Sequence, residues 1–233
     1  VATPAPVPTG PEAYRAWRAS RLGALTDRCE ADALEPLLGA VAGRTVLDAG
    51  CGDGMGAIAL ARRGAQATGL DPDPAMLAAA RAQAEAAGVR LPLVRGRVEA
   101  LPFRDASFDL VLAVTVLCFV RDQGRAWAEM ARVLRPGGLL VIGELGRWSL
   151  WAARRRIRGW LGSALWRAAS FHSAGDLRRA AERAGLAVEA VRGAVFHPPS
   201  ATLARLTAPL DARLGRRTTF GAAFIALAAR RPG

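Results

Sequence analysis

Short apolar runs recur along the chain, and between them apolar side chains return at the three-to-four-residue spacing of helices. Arg44–Asp48, Ala65–Leu70, Leu91–Arg95, Phe108–Val114 and Leu139–Leu145 read as strands. Gly54–Arg63, Pro74–Ala87 and Gln123–Leu134 read as the helices between them. Asp73 and Pro74 supply an N-cap and a first helical residue, and Gly88 stands just past the end. Arg135-Pro136-Gly137-Gly138 is a stop signal before the fifth strand. Two more helices, Pro11–Leu22 and Asp27–Leu38, precede the first strand, with Gly23 between them. This alternation predicts an α/β fold with a mostly parallel sheet covered on both faces.

After the fifth strand the pattern changes. Gly146–Ser170 is rich in Trp and Arg and reads as helical in pieces. Ser173–Ala184 is a helix opening on a capping box, Ser173 to Asp176. Leu186–Val195 and Phe220–Ala229 read as strands flanking a helix over Ala201–Leu214. Residues 1–11, rich in Pro, Ala and Thr, read as a disordered leader. The remainder, 12–233, reads as one domain in which 146–171 is a lid insertion.

Composition narrows the function classes. A chain of 233 residues supports one domain with a large core, and no apolar run approaches the roughly 20 residues that span a bilayer. Cys29, Cys51 and Cys118 are odd in number and far apart, which argues against a disulfide framework and a Cys-based zinc site. No metal is expected, and a reducing cytoplasm is the default. The formal charge of +12 comes entirely from Arg, with no Lys and no Asn in the chain. That bias looks like the coding preference of a GC-rich genome, and much of the charge is scattered over helix surfaces, so no nucleic-acid partner is expected.

Candidate chemistry starts at Asp48-Ala49-Gly50-Cys51-Gly52-Asp53-Gly54, a glycine-spaced loop between the first strand and a helix. Such loops hold a nucleotide-like ligand against bare backbone, because glycine permits positive φ and presents no side chain. Asp71 ends the second strand, where an acid can accept both hydroxyls of a ribose. Gly52-x-Gly54-x-x-Ala57 also fits a relaxed dinucleotide spacing, which keeps an NAD(P)-dependent oxidoreductase as an alternative. Asp48 argues instead for a ligand end bearing a cationic amine, since it would repel a diphosphate.

Val46–Gly54 resembles motif I of the class I S-adenosylmethionine-dependent methyltransferases. Gly69–Leu77 resembles their ribose segment, Gly96–Phe103 with Ser107–Val111 their adenine segment and fourth strand, and Arg132–Gly138 the turn before their fifth strand. Together these are similar to the small-molecule branch that includes ubiquinone and menaquinone biosynthesis methyltransferases. Tyr14-x-x-Trp17 and Leu22-Gly23 resemble that branch's N-terminal helices. The resemblance implies a three-layer Rossmann-like fold, its seven-stranded sheet mostly parallel with an antiparallel last strand, and S-adenosyl-L-methionine as cofactor. It implies cofactor contacts from Asp48, Gly50, Cys51, Gly52, Asp71, Pro72, Met76, Arg97, Val98, Glu99 and Val114. Arg97 stands where the family commonly has an Asp that binds the adenine amino group, while the amide of Val98 can still serve. Asp53 reads as a solvent-facing loop residue and Cys51 as a small packed side chain.

The implied reaction is methyl transfer to a small-molecule acceptor that is quinone-like, phenolic, or a thiol or sulfide. A nucleic-acid methyltransferase and a non-catalytic binding protein are the other readings. In-line displacement at a sulfonium needs alignment and exclusion of water more than a catalytic triad. The acceptor site is expected above the fourth and fifth strands, faced by Tyr14, Trp17, Thr115, Cys118, Glu144, His172 and His197. His172, His197 and Tyr14 are the catalytic candidates, since each His can take a proton near neutral pH. In the insertion, Trp148, Trp151, Trp160 and Trp166 are interleaved with Arg154, Arg155, Arg156 and Arg158. Ile157, Trp160, Leu161, Ala164 and Leu165 share a helical stripe that Gly159 and Gly162 weaken and that Trp148 and Trp151 do not join, so no single amphipathic helix is expected. The segment reads as a lid packing its aromatics over the pocket with its arginines in water. A peripheral membrane contact through 148–166 and recognition of an acidic substrate are its alternatives. The oligomeric state is not legible.

Overall fold

The computed structural model describes residues 10–233, so the leader expected over 1–11 lies almost wholly outside the described residues. The strands are β1 Thr45–Ala49, β2 Gln66–Asp71, β3 Leu93–Arg95, β4 Phe108–Val114, β5 Leu134–Leu145, β6 Ala187–Ala194 and β7 Phe224–Arg230. They form one seven-stranded sheet in the order β3-β2-β1-β4-β5-β7-β6. The first five run parallel, and β7 lies antiparallel between β5 and β6. Strand order therefore reverses between β1 and β4, and a crevice opens at their carboxyl ends.

The helices are α1 Pro11–Ala19, α2 Arg21–Leu38, α3 Met55–Arg62, α4 Pro74–Ala86, α5 Gln123–Val133, α6 Leu150–Trp160, α7 Ala164–Ala168, α8 Ala174–Arg183 and α9 Ala201–Gly215. They cover both faces of the sheet, so its strands carry apolar residues on each side. Leu47, Val111 and Ile142 point into one core layer, while their neighbours Val46, Leu110 and Val141 point into the other. The capping box at Ser173 and Asp176 forms as expected, each side chain accepting from the other's backbone N–H.

Three boundaries differ from expectation. Gly23 does not separate two helices; it lies inside α2, where its N–H donates to Ser20 Oγ at 3.0 Å. A Cβ at Gly23 would fall 2.0 Å from the Trp17 carbonyl oxygen, so glycine is what lets α1 fold back on α2. The Arg135–Gly138 stop signal lies inside β5, as a register shift between Phe108 and Leu110 of the partner strand. A bulge tolerates Pro136 because no ladder donor is needed there. β7 begins at Phe224, not Phe220, because Phe220 and Gly221 form a turn whose Gly221 N–H donates to Trp148 O at 2.9 Å.

The segment read as a lid folds into α6 and α7, and its apolar stripe does not pack inward. Ala152 of α6 packs with Cys118, Leu145 and Phe171 over the ends of β4 and β5. Its buried residues are Trp151, Ala152 and Gly159, whereas Ile157, Trp160 and Leu161 are exposed. The apolar stripe read from the sequence thus faces outward from α6. The reason is steric: Ser149 caps the helix at Ala152 N–H, and a Cβ at Gly159 would come within 3.1 Å of the Trp166 carbonyl carbon. Both features press the Trp151 side against the protein.

Candidate functional site

The loop from Gly50 to Gly54 turns three times through left-handed backbone, with φ of +85° at Gly50, +54° at Gly52 and +84° at Gly54. Leu70 O accepts from Gly50 N and Cys51 N at 2.7 and 2.9 Å, so the loop is folded onto the end of β2. Each glycine meets a different neighbour. A Cβ at Gly50 would lie 2.4 Å from Val116 Cγ2 and one at Gly54 would lie 2.9 Å from Ala80 Cβ, while one at Gly52 would meet nothing within 4 Å. Gly52 therefore faces open space across bare backbone.

Two acids frame that space. Asp48 is buried beneath the start of α3 and accepts from the Ala57 N–H. Burial pushes its carboxyl up to about 7, partly offset by that hydrogen bond. Asp71 is buried at the end of β2; its two oxygens accept from Gly52 N and Asp73 N, both at 2.9 Å. Burial raises its pKa as well, against the pull of the two amides. Each oxygen keeps a further lone pair.

Asp53 departs from expectation. It is buried, not solvent-facing, and is ion-paired with Arg18 of α1, while its carbonyl accepts from Gln83 Nε2 at 2.9 Å. Cys51 is buried against the loop and burial raises its thiol pKa, as befits a packed side chain. Farther out, Pro72 is exposed and Met76 half-buried at the start of α4. Arg97 pairs with Glu99 at 3.1 Å, and the Val98 side chain is buried in the core between them. Only the backbone of Val98 is thus free to face a ligand. Val114 ends β4, and Thr115 after it adopts φ +56° with its N–H on Gly143 O at 2.7 Å. A β-branched residue in that region is strained, and it turns the chain so that Val116 closes over Gly50.

Above β4 and β5 the structure sorts the acceptor-side candidates. Glu144 does not face the site with a free carboxylate: it is fully buried and accepts from Val116 N, Leu117 N and Cys118 N at 3.1, 2.7 and 3.0 Å. It ties down the loop after β4. Cys118 is fully buried and its thiol pKa is raised by burial and by the Glu144 charge. Trp17 and Trp151 meet edge to face at 5.9 Å, and Trp151 meets His197 at 6.0 Å. Trp151 Nε1 donates to His197 O at 2.9 Å. His197 Nδ1 lies 3.1 Å from Pro198 O, a pure acceptor, so Nδ1 carries the proton. Its buried Nε2 has no partner among the described residues.

His172 lies elsewhere. Its N–H donates to Leu145 O at 2.8 Å, and it lines a cleft of about 330 Å³ with Gln123, Trp127, Arg147 and Asp176, between α5 and α8. Burial lowers its pKa, while Asp176 opposes that shift. The two histidines do not share a site. Tyr14 stacks on the Arg18 guanidinium at 4.5 Å on α1.

Two functional candidates were missed by the sequence reading. Arg155 of α6 lies between two indoles, 5.3 Å from the Trp151 ring and 4.9 Å from that of Trp166. Glu30 of α2 feels the charges of Asp27 and Arg155, and the pKa of the Tyr14 phenol is raised first by burial and then by the Glu30 charge. Burial pushes Glu30 up to about 8, with Asp27 adding to the rise and Arg155 opposing it. No hydrogen bond satisfies Glu30 or Arg155 among the described residues. The signal was Asp27 and Glu30 themselves, an acid pair three apart beside the buried face of Thr26, Cys29 and Ala33.

The switch-point crevice, the left-handed glycine loop and the acid ending β2 define a Rossmann-like enzyme of the S-adenosylmethionine-dependent methyltransferase class. A family model described as a methyltransferase domain matches residues 47–142. A ubiquinone biosynthesis O-methyltransferase of Methylobacterium sp. (strain 4-46) is 36% identical over 173 residues, covering 71% of this chain and 67% of that protein. An uncharacterised protein of Mycobacterium tuberculosis is 34% identical over 217 residues, covering 93% of this chain and 70% of that one. Among solved structures, a SAM-dependent methyltransferase of Thermotoga maritima, described as a possible histamine N-methyltransferase, superposes with a TM-score of 0.72 at 25% identity. It covers 94% of this chain and 95% of that one. The chain belongs to the class I small-molecule S-adenosylmethionine-dependent methyltransferases, and S-adenosylmethionine is its cofactor.

Proposed function

We propose that this enzyme methylates a hydroxyl of a small aromatic acceptor, phenolic or quinol-like. The observation that carries the reading is the cluster of Trp17, Trp151 and Arg155, with the two indoles edge to face at 5.9 Å and the guanidinium 5.3 Å from the Trp151 ring; Glu30 feels the charge of that Arg155. A hydroxyl on an aromatic ring needs a proton acceptor whose pKa lies near the working pH, and flat indoles suit a flat acceptor. The name of the Methylobacterium relative, an O-methyltransferase of ubiquinone biosynthesis, supports the same chemistry.

When bound, S-adenosylmethionine supplies an electrophilic methyl on a sulfonium whose sulfur leaves neutral. In this proposal Asp48 and the backbone of Gly50, Cys51 and Gly52 hold the methionine end, with Val114 beside them. Asp71 and Pro72 take the ribose, and Met76, Val98, Arg97 and Glu99 border the adenine. The fit rests on the open space at Gly52 and the spare lone pairs of Asp71. Glu30 takes the acceptor's hydroxyl proton, Tyr14 borders it, and Arg155 orients the ring. His197, with its bare Nε2, is the second candidate for the proton. His172, in its separate cleft, has no part in the transfer we propose.

The test is an acceptor panel of catechols, hydroquinones, simple phenols, thiols and sulfide, followed by release of S-adenosylhomocysteine. Turnover of hydroxylated aromatics above the other classes is expected. Turnover of thiols or sulfide alone would overturn the reading.

A further inference from the structure

The exposed apolar side chains of this protein are concentrated on its lid side. On α9, Leu203, Leu206, Leu210 and Leu214 follow a helical stripe and are all exposed, Leu206 to 70%. The buried side of the same helix carries Ala204, Asp211 and Gly215, so the stripe is not the face that packs. On α6, Leu150, Ile157 and Leu161 make a second exposed stripe, with Trp160 82% exposed at its end.

Two hydrogen bonds bring the stripes together. Arg154 Nη1, from the exposed side of α6, donates to Pro199 O just before α9 at 3.3 Å. Beyond the other end of α9, Gly221 N donates to Trp148 O at 2.9 Å, which sets exposed Phe220 close to exposed Trp148. Neither stripe has a partner among the described residues.

Charge identifies the occupant. No acid occurs between Glu144 and Asp176. From Ala190 to the end the one acid is Asp211, which is buried and accepts from Val195 N and Phe196 N at 2.9 and 2.8 Å. Exposed arginines at Arg154, Arg158 and Arg213, with Arg216 and Arg217 past the end of α9, therefore border the apolar face without counter-charge beside it. A second copy of the chain, pairing face to face about a two-fold axis, would set these arginines against their own copies. An anionic bilayer meets both features: leucines and Trp enter the headgroup boundary while arginines meet lipid phosphates.

We propose that α6 and α9 together form a docking face for the interface of an anionic phospholipid bilayer. The outer side of α6 rests on lipid while its inner side, through Trp151, roofs the site. The inference stands on the surface alone and does not depend on which acceptor is methylated.

The experiment is co-sedimentation of the full chain with vesicles of phosphatidylglycerol and phosphatidylcholine, and with phosphatidylcholine alone. Binding to the anionic vesicles at least tenfold tighter than to the neutral ones is expected, weakening with salt, with a blue shift of Trp emission. Leu206→Glu with Leu210→Glu should lower the partition at least tenfold, while calorimetry shows S-adenosylhomocysteine binding unchanged and so an intact fold. Failure to bind anionic vesicles, equal binding to both lipids, or undiminished binding by the double variant would each overturn the proposal. So would a wild-type dimer, seen by light scattering, that the double variant converts to monomer.

Discussion

Arg18 on α1 and Asp53 in the glycine loop form an ion pair in which the carboxylate is buried and the guanidinium mostly so. The N-terminal helix is thereby fastened to the glycine loop, and Tyr14 lies on the same guanidinium. Arg18→Ala leaves Asp53 buried without its partner, at a cost of about 1–3 kcal/mol. Asp53→Asn removes the charge as well and should cost less. Thermal melts should rank the variants in that order, with S-adenosylhomocysteine affinity, measured by calorimetry, falling most in Arg18→Ala.

The glycines of the loop should respond differently to one methyl group. Gly50→Ala drives a Cβ into Val116 at a left-handed φ and should cost about 2–4 kcal/mol. Val116→Ala in the same chain should recover part of that loss. Gly52→Ala meets no protein atom, so it should cost about 1–2 kcal/mol of backbone strain yet lose most cofactor affinity. Melting and calorimetry on the three variants separate a packing glycine from one that faces ligand.

Asp71→Ala removes the acceptor of the Gly52 and Asp73 amides together with the proposed ribose contact. Loss of hydrogen bonds to a charged group, at about 1.5–3 kcal/mol each, corresponds to a tenfold to hundredfold weaker cofactor complex. Undiminished calorimetric binding would count against the site.

Asp48 sets a pH dependence. Its carboxyl is raised from 3.8 to about 7 in the free protein, so its contribution to stability is present below pH 4 and is lost as pH rises towards 7. A cationic amine binds the ionised form better. S-adenosylhomocysteine affinity should therefore fall as pH drops from 8 to 6, with proton release on binding below 7. Asp48→Asn should flatten that profile in calorimetry run in buffers of different ionisation heat.

Glu30, held near 8, predicts a rate that climbs with pH and levels above it as the carboxylate forms. Glu30→Gln should lower kcat about a hundredfold for phenols of high pKa and far less for acidic ones that arrive ionised. His197→Gln should change kcat less than Glu30→Gln does; the reverse ranking would transfer the proton to His197.

The glycine loop, Asp71 and the strand–helix alternation were legible in the chain because local chemistry dictates them. Positive φ demands glycine, a strand buried on both faces demands an unbroken apolar run, and a capping box demands Ser173 and Asp176 three apart. Sequence by itself therefore determined the parallel sheet, the methyltransferase class and the place of the glycine loop. Only tertiary structure decided which side of each element meets another. It buried Asp53 against Arg18, turned Glu144 onto three amides, sent His172 to a different cleft from His197, and left the leucines of α9 in the open. A helix carrying apolar residues on two sides has two faces it can bury, and contacts distant in the chain choose between them. For α6 that choice fell to Trp151, Ala152 and the close approach at Gly159, and it left Trp160 and Leu161 outside.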